Sequence, residues 1–182
     1  MFKYILFIAV AALLCSCGAR QAATDNKKNT TTTFTDPGYL KASGDSVSIP
    51  ALSVALELSQ KANEQLAGNK ESIVIDAWFS GRPADTSSKE YKESGGIFLK
   101  AAHAELVDTT RMVKFDGLKF SKALYDSLAD KDIRVLVNVY SGRKTAADNI
   151  LDCTILADKM SAVKDKNNVL HCRLINEADS LQ

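Results

Sequence analysis

Alternation of apolar residues at every second position is the feature that most constrains the fold of this chain. It is clearest over residues 133–139, where Ile133, Val135, Val137 and Val139 recur with a period of two. Successive side chains of a β-strand point to opposite faces, so this period predicts a strand that buries one face. Residues 52–58 and 73–79 show the same pattern and are predicted to be strands as well.

Three further strands are predicted at residues 97–107, 151–157 and 169–175. Asp116 and Gly117 separate two short apolar-alternating arms within residues 111–120. This pattern predicts a β-hairpin whose two central residues both have positive φ. Pro50 precedes the strand at residues 52–58, and because proline cannot donate to a ladder, it predicts that this strand starts at a sheet edge.

Only two short helices are predicted. The first covers residues 59–66, with Ala62 and Leu66 facing inward and Gly68 just beyond its end. The second begins after Ser121, whose hydroxyl can cap it. Short strands separated by turn signals, with so little helix, predict an all-β fold, namely a sandwich of two antiparallel sheets. Immunoglobulin-like, transthyretin-like and C2-like connectivities are all compatible with this pattern.

The two cysteines near the end of the chain define a strand register. If Cys153 faces Cys172, two further apolar pairs fall opposite each other on the same side: Leu151 with Leu174, and Ile155 with Leu170. A slip of one residue would turn every side chain to the other face, so this register predicts adjacent cysteines joined by a disulfide, with the polar residues 158–168 as a loop. The alternatives are two buried, reduced thiols and a redox-active pair, but the absence of a Cys-x-x-Cys spacing argues against the redox-active pair.

The chain begins with a short apolar leader. Lys3 is its one charged residue, and ten apolar residues follow at positions 5–14. This length suits an export signal and is too short to span a bilayer. Without Lys3 the chain has 22 basic and 22 acidic residues, a balance that argues against nucleic-acid binding and against a polybasic membrane-surface module.

The end of the leader resembles a bacterial lipobox. Leu14 stands three positions before Cys17, Ser16 directly before it and Gly18 directly after it. The resemblance implies cleavage after Ser16 and lipidation of Cys17, which would tether the chain to a membrane outside the cytoplasm. Because residue 18 is not aspartate and no acidic run follows, the resemblance also implies an outer-membrane anchor that faces the periplasm.

The predicted domain organisation follows from composition. Residues 1–16 are a signal peptide, residues 17–45 a lipidated cysteine and flexible tether, residues 46–178 the β-sandwich domain and residues 179–182 a tail. The tether is rich in threonine, lysine and turn residues and poor in large apolar residues. Phe34, Tyr39 and Leu40 are its apolar exceptions, and we expect them to contact the domain.

A short sequence echo singles out candidate binding residues. Ser-Gly-Arg ends two predicted strands, at residues 80–82 and 141–143, and a polar loop follows each. If the two strands ran parallel, both loops would share one rim of the sheet and form a binding edge for an acidic or carbohydrate partner. The candidates are Arg82, Arg143 and Lys144 for charge, and Trp78, Tyr91 and Tyr140 for apolar contact. The alternative is ordinary turn chemistry with solvated arginines.

No catalytic or metal-binding motif is recognisable. His103 and His171 lack a zinc-binding spacing, and no Gly-x-Ser-x-Gly sequence is present. The carboxylates near Asp85 and Asp148 are too irregularly spaced for calcium. The sequence therefore predicts a non-enzymatic protein without metal or cofactor; a catalytic site, were there one, would be expected at Asp76 or His103.

The predicted function is a membrane-anchored lipoprotein whose β-sandwich binds a protein partner in the bacterial envelope or helps to assemble a complex there. This design is similar, in architecture alone, to accessory lipoproteins of secretion systems such as the transthyretin-like lipoprotein of type VI secretion. The alternative is binding of a small ligand or carbohydrate. The sequence determines neither the partner nor the oligomeric state.

Overall fold

The computed structural model describes residues 36–107 and 109–177 of the chain. The predicted leader, the lipidation site Cys17, Phe34 and the predicted tail at residues 179–182 lie outside these residues. Within the described residues, no helix combines the length and the apolar character needed to cross a bilayer.

The described residues form eleven strands and four helices. In chain order these are β1 (Lys41–Ser43), β2 (Ser46–Ser48), β3 (Leu52–Leu58), α1 (Gln60–Asn69), β4 (Ile73–Pro83), α2 (Lys89–Ser94), β5 (Ile97–Leu106), β6 (Met112–Phe115), β7 (Lys119–Ser121), α3 (Lys122–Ser127), β8 (Leu128–Ser141), β9 (Leu151–Cys153), β10 (Leu156–Lys159), α4 (Met160–Val163) and β11 (Asn167–Leu174). The prediction of a mainly β protein is confirmed, although it has four helices and not two.

The strands form three sheets, in the orders β1-β2-β7, β10-β8-β4-β5 and β6-β3-β11-β9. All pairs are antiparallel except β3 with β11, so the third sheet is mixed and the expectation of purely antiparallel sheets is wrong. β3 lies between β6 and β11, which also contradicts the edge position predicted from Pro50. Pro50 precedes the strand, where its missing N–H costs the ladder nothing.

The predicted period-two faces form the core. Ile73, Ile75, Ala77 and Phe79 of β4 are at most 1% exposed, and the alternate residues of β8 from Ile133 to Val139 are at most 3% exposed. Leu52, Val54 and Leu56 of β3 belong to the same buried cluster. Both four-stranded sheets therefore contribute one apolar face to a single core, and burial of these side chains is the main source of stability.

Both predicted helices are present, and the cap predicted at Ser121 is confirmed. The Ser59 hydroxyl accepts a hydrogen bond from the Ala62 N–H at the start of α1, and the Ser121 hydroxyl accepts one from the Leu124 N–H at the start of α3. Gly68 does not end α1, because the helix continues to Asn69 and Lys70 takes the left-handed conformation with φ of 53°. Two helices were not predicted: α2, and α4 with its buried Met160 and Val163.

The predicted hairpin at Asp116 and Gly117 is wrong. β6 pairs with β3 and β7 pairs with β2, so the chain passes from one sheet to another at this turn. Gly117 has φ of +63°, whereas Asp116 is absent from the residues with positive φ. A type I′ turn needs positive φ at both positions, so the local sequence signal for a turn was correct but the pairing was not.

The predicted cysteine register is confirmed where the strands pair. Cys172 lies opposite Cys153, and Leu174 lies opposite Leu151 in the antiparallel β9–β11 ladder. The cysteines form a disulfide with a Cα–Cα distance of 4.1 Å. The register does not extend to Ile155, which is 61% exposed, because the chain then crosses to β8 as strand β10. Residues 158–168 accordingly include strand and helix and are not a simple loop.

Residues 36–45, which composition assigns to the tether, contact the domain in the structure. β1 pairs with β2, and Leu40 is 8% exposed in the core. The Tyr39 hydroxyl donates to Asp132 Oδ1 at 2.8 Å and accepts from the Ile133 N–H at 3.0 Å. The expectation that Tyr39 and Leu40 contact the domain is therefore confirmed.

Candidate binding surface

The β10-β8-β4-β5 sheet has a second face that points away from the core, which we call the outer face. It is formed by the alternate residues of β4, β5 and β8 that do not contribute to the core. Cross-strand pairing sets them in rows, with Asn138 and His103 on either side of Asp76, and Leu136 and Ala101 on either side of Trp78. Tyr140 lies one row beyond Asn138, and Ser80 lies between Arg134 and Phe98 in the row on the other side.

A polar cluster occupies one part of the outer face. Asp76 Oδ1 lies 2.8 Å from His103 Nδ1, and Asp76 Oδ2 accepts a hydrogen bond from the Tyr140 hydroxyl at 2.7 Å. The Asp76 side chain is only 18% exposed, whereas that of His103 is 62% exposed. The hydrogen bond to Asp76 raises the pKa of the Tyr140 hydroxyl. The three groups hold one another in defined positions on an open surface.

An apolar strip lies beside this cluster. Trp78, the single tryptophan of the chain, is half-buried between Leu136 and the small side chain of Ala101. Leu136 is 42% exposed, and Phe98 on the edge strand β5 is 54% exposed. Isolated exposed apolar residues are common. A strip that includes an indole and lies next to a polar cluster is typical of a contact surface.

A hollow of about 280 Å³ lies at one end of the outer face. It is lined by Arg82, Tyr91 and Arg134 together with Gly95 and Gly96. Lys159 also lines this hollow, and its Nζ lies 3.5 Å from Asp130 Oδ2 and 3.7 Å from Asp132 Oδ2. Arg82 and Tyr91, two of the predicted binding residues, are therefore neighbours.

A second hollow, of about 400 Å³, lies at the other end of the outer face. Its lining includes Tyr140, Arg143 and Asn149. Lys144 follows Arg143 in the chain and its Nζ is bound to Glu105 at 2.9 Å. Arg143 has φ of 56°, a left-handed conformation that few non-glycine residues adopt, at the point where the chain turns after β8.

The two Ser-Gly-Arg segments lie at opposite ends of the sheet, which contradicts the predicted common rim. β4 and β8 are antiparallel, with Ile73 opposite Ser141 and Arg82 opposite Asp130. Val74 of β4 is the cross-strand partner of Tyr140. Arg82 lies eight positions further along β4, a distance of about 26 Å at the usual rise of a strand. The residues predicted to form one binding edge therefore divide into two groups, with Trp78 between them.

The glycines of these segments are required for packing, not for turns. Gly81 lies within β4, and a β-carbon there would collide with the Leu128 side chain. A β-carbon on Gly142 would collide with the Ser72 hydroxyl. Neither glycine is among those with positive φ. Gly81 lies inside β4 and is not part of a turn, whereas Gly142 directly precedes Arg143, where the chain turns after β8.

A buried carboxylate holds the loop that carries Arg143 and Lys144, and sequence reasoning missed it. Glu71 is 6% exposed. Its oxygens accept hydrogen bonds from the backbone N–H groups of Lys144, Thr145 and Ala146 at 3.0, 2.8 and 3.3 Å. Burial alone would raise the pKa of this carboxyl, but the hydrogen bonds outweigh it and lower the pKa to about 2. In the sequence, the one feature that could have indicated this role of Glu71 is its position between a helix and a strand.

A third hollow, of about 640 Å³, lies beside the disulfide on the β6-β3-β11-β9 sheet. Cys153 and Cys172 line it together with His171. His171 Nδ1 lies 3.2 Å from Glu57, and Arg173 Nε lies 3.1 Å from Asp152. His171 is exposed, as its alternation along the strand predicts. Glu177, which also lines this hollow, accepts a hydrogen bond from the Ser59 hydroxyl. None of the predicted binding residues lies here.

The chemistry available at the outer face is that of contact and hydrogen bonding. Among residues 36–107 and 109–177, no group of three or more histidines, cysteines or carboxylates could hold a metal ion. The described hydrogen bond of the His103 side chain is to Asp76. Trp78, Asp76, Tyr140 and the two end hollows together offer a surface with an apolar centre and polar margins.

Comparison with known proteins returned no match. No protein-family model matches the chain, and neither the curated proteins nor the solved structures include a significant match.

Proposed function

We propose that this chain is a membrane-tethered, non-enzymatic binding protein whose outer face contacts a protein partner in the bacterial envelope. The observation that carries the proposal is the apolar strip of half-buried Trp78 with exposed Leu136 and Phe98, bordered by charged groups at both ends of the sheet. Stable protein interfaces combine an apolar centre with a polar rim in this way.

The location belongs to the same proposal. The lipobox-like residues Leu14, Ser16, Cys17 and Gly18 support lipidation of Cys17 and an outer-membrane anchor that faces the periplasm. The two four-stranded sheets contribute to one core, which supports a β-sandwich arrangement of the domain. Such a domain on a lipid anchor suits an accessory subunit of an envelope complex, such as a secretion system.

The test is in-cell crosslinking of the lipidated protein, followed by membrane fractionation and mass spectrometry of the co-purified proteins. We expect a discrete envelope partner, and we expect Leu136→Asp to reduce its recovery by about tenfold or more because a charge in the contact centre must be desolvated. Val169→Asp is the matched control, since Val169 is 39% exposed on the other four-stranded sheet. Equal loss of the partner in both variants, or no partner at all, would contradict the proposal.

A second candidate function is binding of a carbohydrate at the polar part of the outer face. The observation that favours it is a held carboxylate, Asp76, beside an indole, Trp78, on an open sheet. A sugar ring stacks on an aromatic face while its hydroxyls bond to fixed polar groups. If soluble oligosaccharides bind here, the fluorescence of Trp78 will change saturably and Asp76→Asn will weaken the response. A response unchanged by Asp76→Asn would exclude this site.

A further inference from the structure

The free edge of β5 is the longest unpaired strand edge among the described residues. β5 is the last strand in its sheet order and has ten residues, whereas β10, β6 and β9, the other outer strands of the two four-stranded sheets, have three or four. An exposed edge presents unpaired N–H and C=O groups, and native proteins usually cover such an edge or pair it.

One backbone group near the beginning of this edge has a partner outside the sheet. The Phe98 N–H donates to Glu90 Oε1 of α2 at 3.1 Å. β7 also lies near β5, but its ladder is with β2. From Ala101 onward the edge carries small side chains, including Ala102 and Ala104, so its backbone is accessible to another strand.

The side chains of this segment are complementary to themselves. In an antiparallel pair of two β5 strands with the two-fold axis at Ala104, His103 of each copy lies opposite Glu105 of the other. The same register sets Ala102 opposite Leu106 on the core side, and Ala101 opposite Val107, which is 49% exposed. Side chains that can form hydrogen bonds therefore fall opposite each other, as do apolar side chains, and the segment that contacts α2 lies outside the paired residues.

The existing contacts leave the charged groups available. Asp76 binds His103 through Nδ1, so Nε2 of the protonated imidazole can donate to a second carboxylate. Ser72 and Lys144 both bind Glu105 through Oε1, at 2.5 and 2.9 Å, so Oε2 can bind His103 of the other copy. Cross-strand pairs of opposite charge stabilise antiparallel ladders.

From these observations we propose that the protein forms a symmetric dimer in which the β5 edges of two copies pair antiparallel around Ala104. The two sheets then join into one eight-stranded sheet with two outer faces side by side. The dimer does not depend on the proposed function, because its backbone pairing uses the β5 edge and not the strip of Trp78, Leu136 and Phe98; its His103 and Glu105 side chains lie at the margin of the outer face.

The test uses the unlipidated mature chain, residues 17–182 with Cys17→Ser, in sedimentation experiments. We expect the unmodified protein to be a dimer at about 100 μM. In His103→Glu the dissociation constant of the dimer should be about tenfold higher, because the substitution places a glutamate opposite Glu105 in both symmetry-related pairs. His171→Glu is the matched control, because His171 is also paired with a glutamate and 66% exposed. A monomer at every concentration, or equal effects of the two variants, would overturn the proposal.

Cysteine crosslinking tests the register. Opposite residues of an antiparallel pair have Cα atoms about 4.5–5.5 Å apart, within disulfide range. Ala104→Cys should therefore form a covalent dimer on mild oxidation. Ala101→Cys should not, because the two copies of residue 101 would be about 20 Å apart. Crosslinking of Ala101→Cys at an equal rate would refute this register, and the His103→Glu result stands if Ala104→Cys fails to fold.

Discussion

Replacing Glu71 with glutamine should lower the free energy of unfolding by about 2–4 kcal/mol, although the two side chains have the same shape. The carboxylate accepts from three consecutive backbone N–H groups, from the Thr145 hydroxyl and from the Ser72 N–H. A glutamine would turn its own NH₂ group toward some of these donors and leave them unsatisfied inside the protein. The midpoint of thermal unfolding should fall by about 5–10 °C, measured by circular dichroism.

The same carboxylate should make the protein sensitive to acid. Its pKa is about 2 in the folded protein, below the ordinary value of 4.5. A lowered folded-state pKa contributes stability that is complete above pH 4.5 and is lost as the pH falls toward 2. Denaturation curves across this range should therefore show a smaller loss of stability in Glu71→Gln than in the unmodified protein.

Glu93→Gln is the control for both experiments. Glu93 lies on α2, is 67% exposed and has only a 3.7 Å contact with Lys89, so its removal should change stability by less than about 0.5 kcal/mol. Equal free energies of unfolding for Glu93→Gln and Glu71→Gln at pH 7 would contradict the prediction. They would show that the hydrogen bonds of Glu71 do not hold the loop after β8 in place.

Removing the disulfide should lower the free energy of unfolding by about 3 kcal/mol in the chain-entropy model, because Cys153 and Cys172 close a loop with a sequence separation of 19. The measurement is denaturant unfolding of Cys153→Ala/Cys172→Ala beside the unmodified protein. Cys172 is 4% exposed, so the loss of its sulfur from the core adds to the effect.

Chemical reduction distinguishes the contribution of the disulfide bond to the free energy of unfolding from the contribution of packing around the two sulfur atoms. The unmodified protein with dithiothreitol keeps both sulfur atoms, so it should lose the bond contribution and keep most of the packing contribution. The double variant should be insensitive to the reductant. Labelling of the unfolded, unreduced chain should find Cys153 and Cys172 unreactive, and two reactive thiols would contradict the disulfide.

Local patterns in the sequence predicted the elements well because their causes are local. The period of two identified β3, β4 and β8 and the side of each that is buried, since a strand presents alternate residues to one face. Ser121 identified the start of α3, since a cap bonds to an N–H three residues away. α4 was missed because it has only four residues, with two buried side chains.

The sequence by itself determined the long strands β3, β4, β5, β8 and β11, the faces of β3, β4 and β8 that are buried, and which cysteines meet; it did not identify β1 and β2. Only the tertiary structure decided which strands pair, because partners far apart in the chain compete for the same edges and no local signal ranks them. This is why Asp116 and Gly117 connect two sheets, why Arg82 and Arg143 lie at opposite ends of one sheet, and why Glu71 meets a loop more than seventy residues away. Alternation is a property of one strand, whereas a binding surface is a property of several.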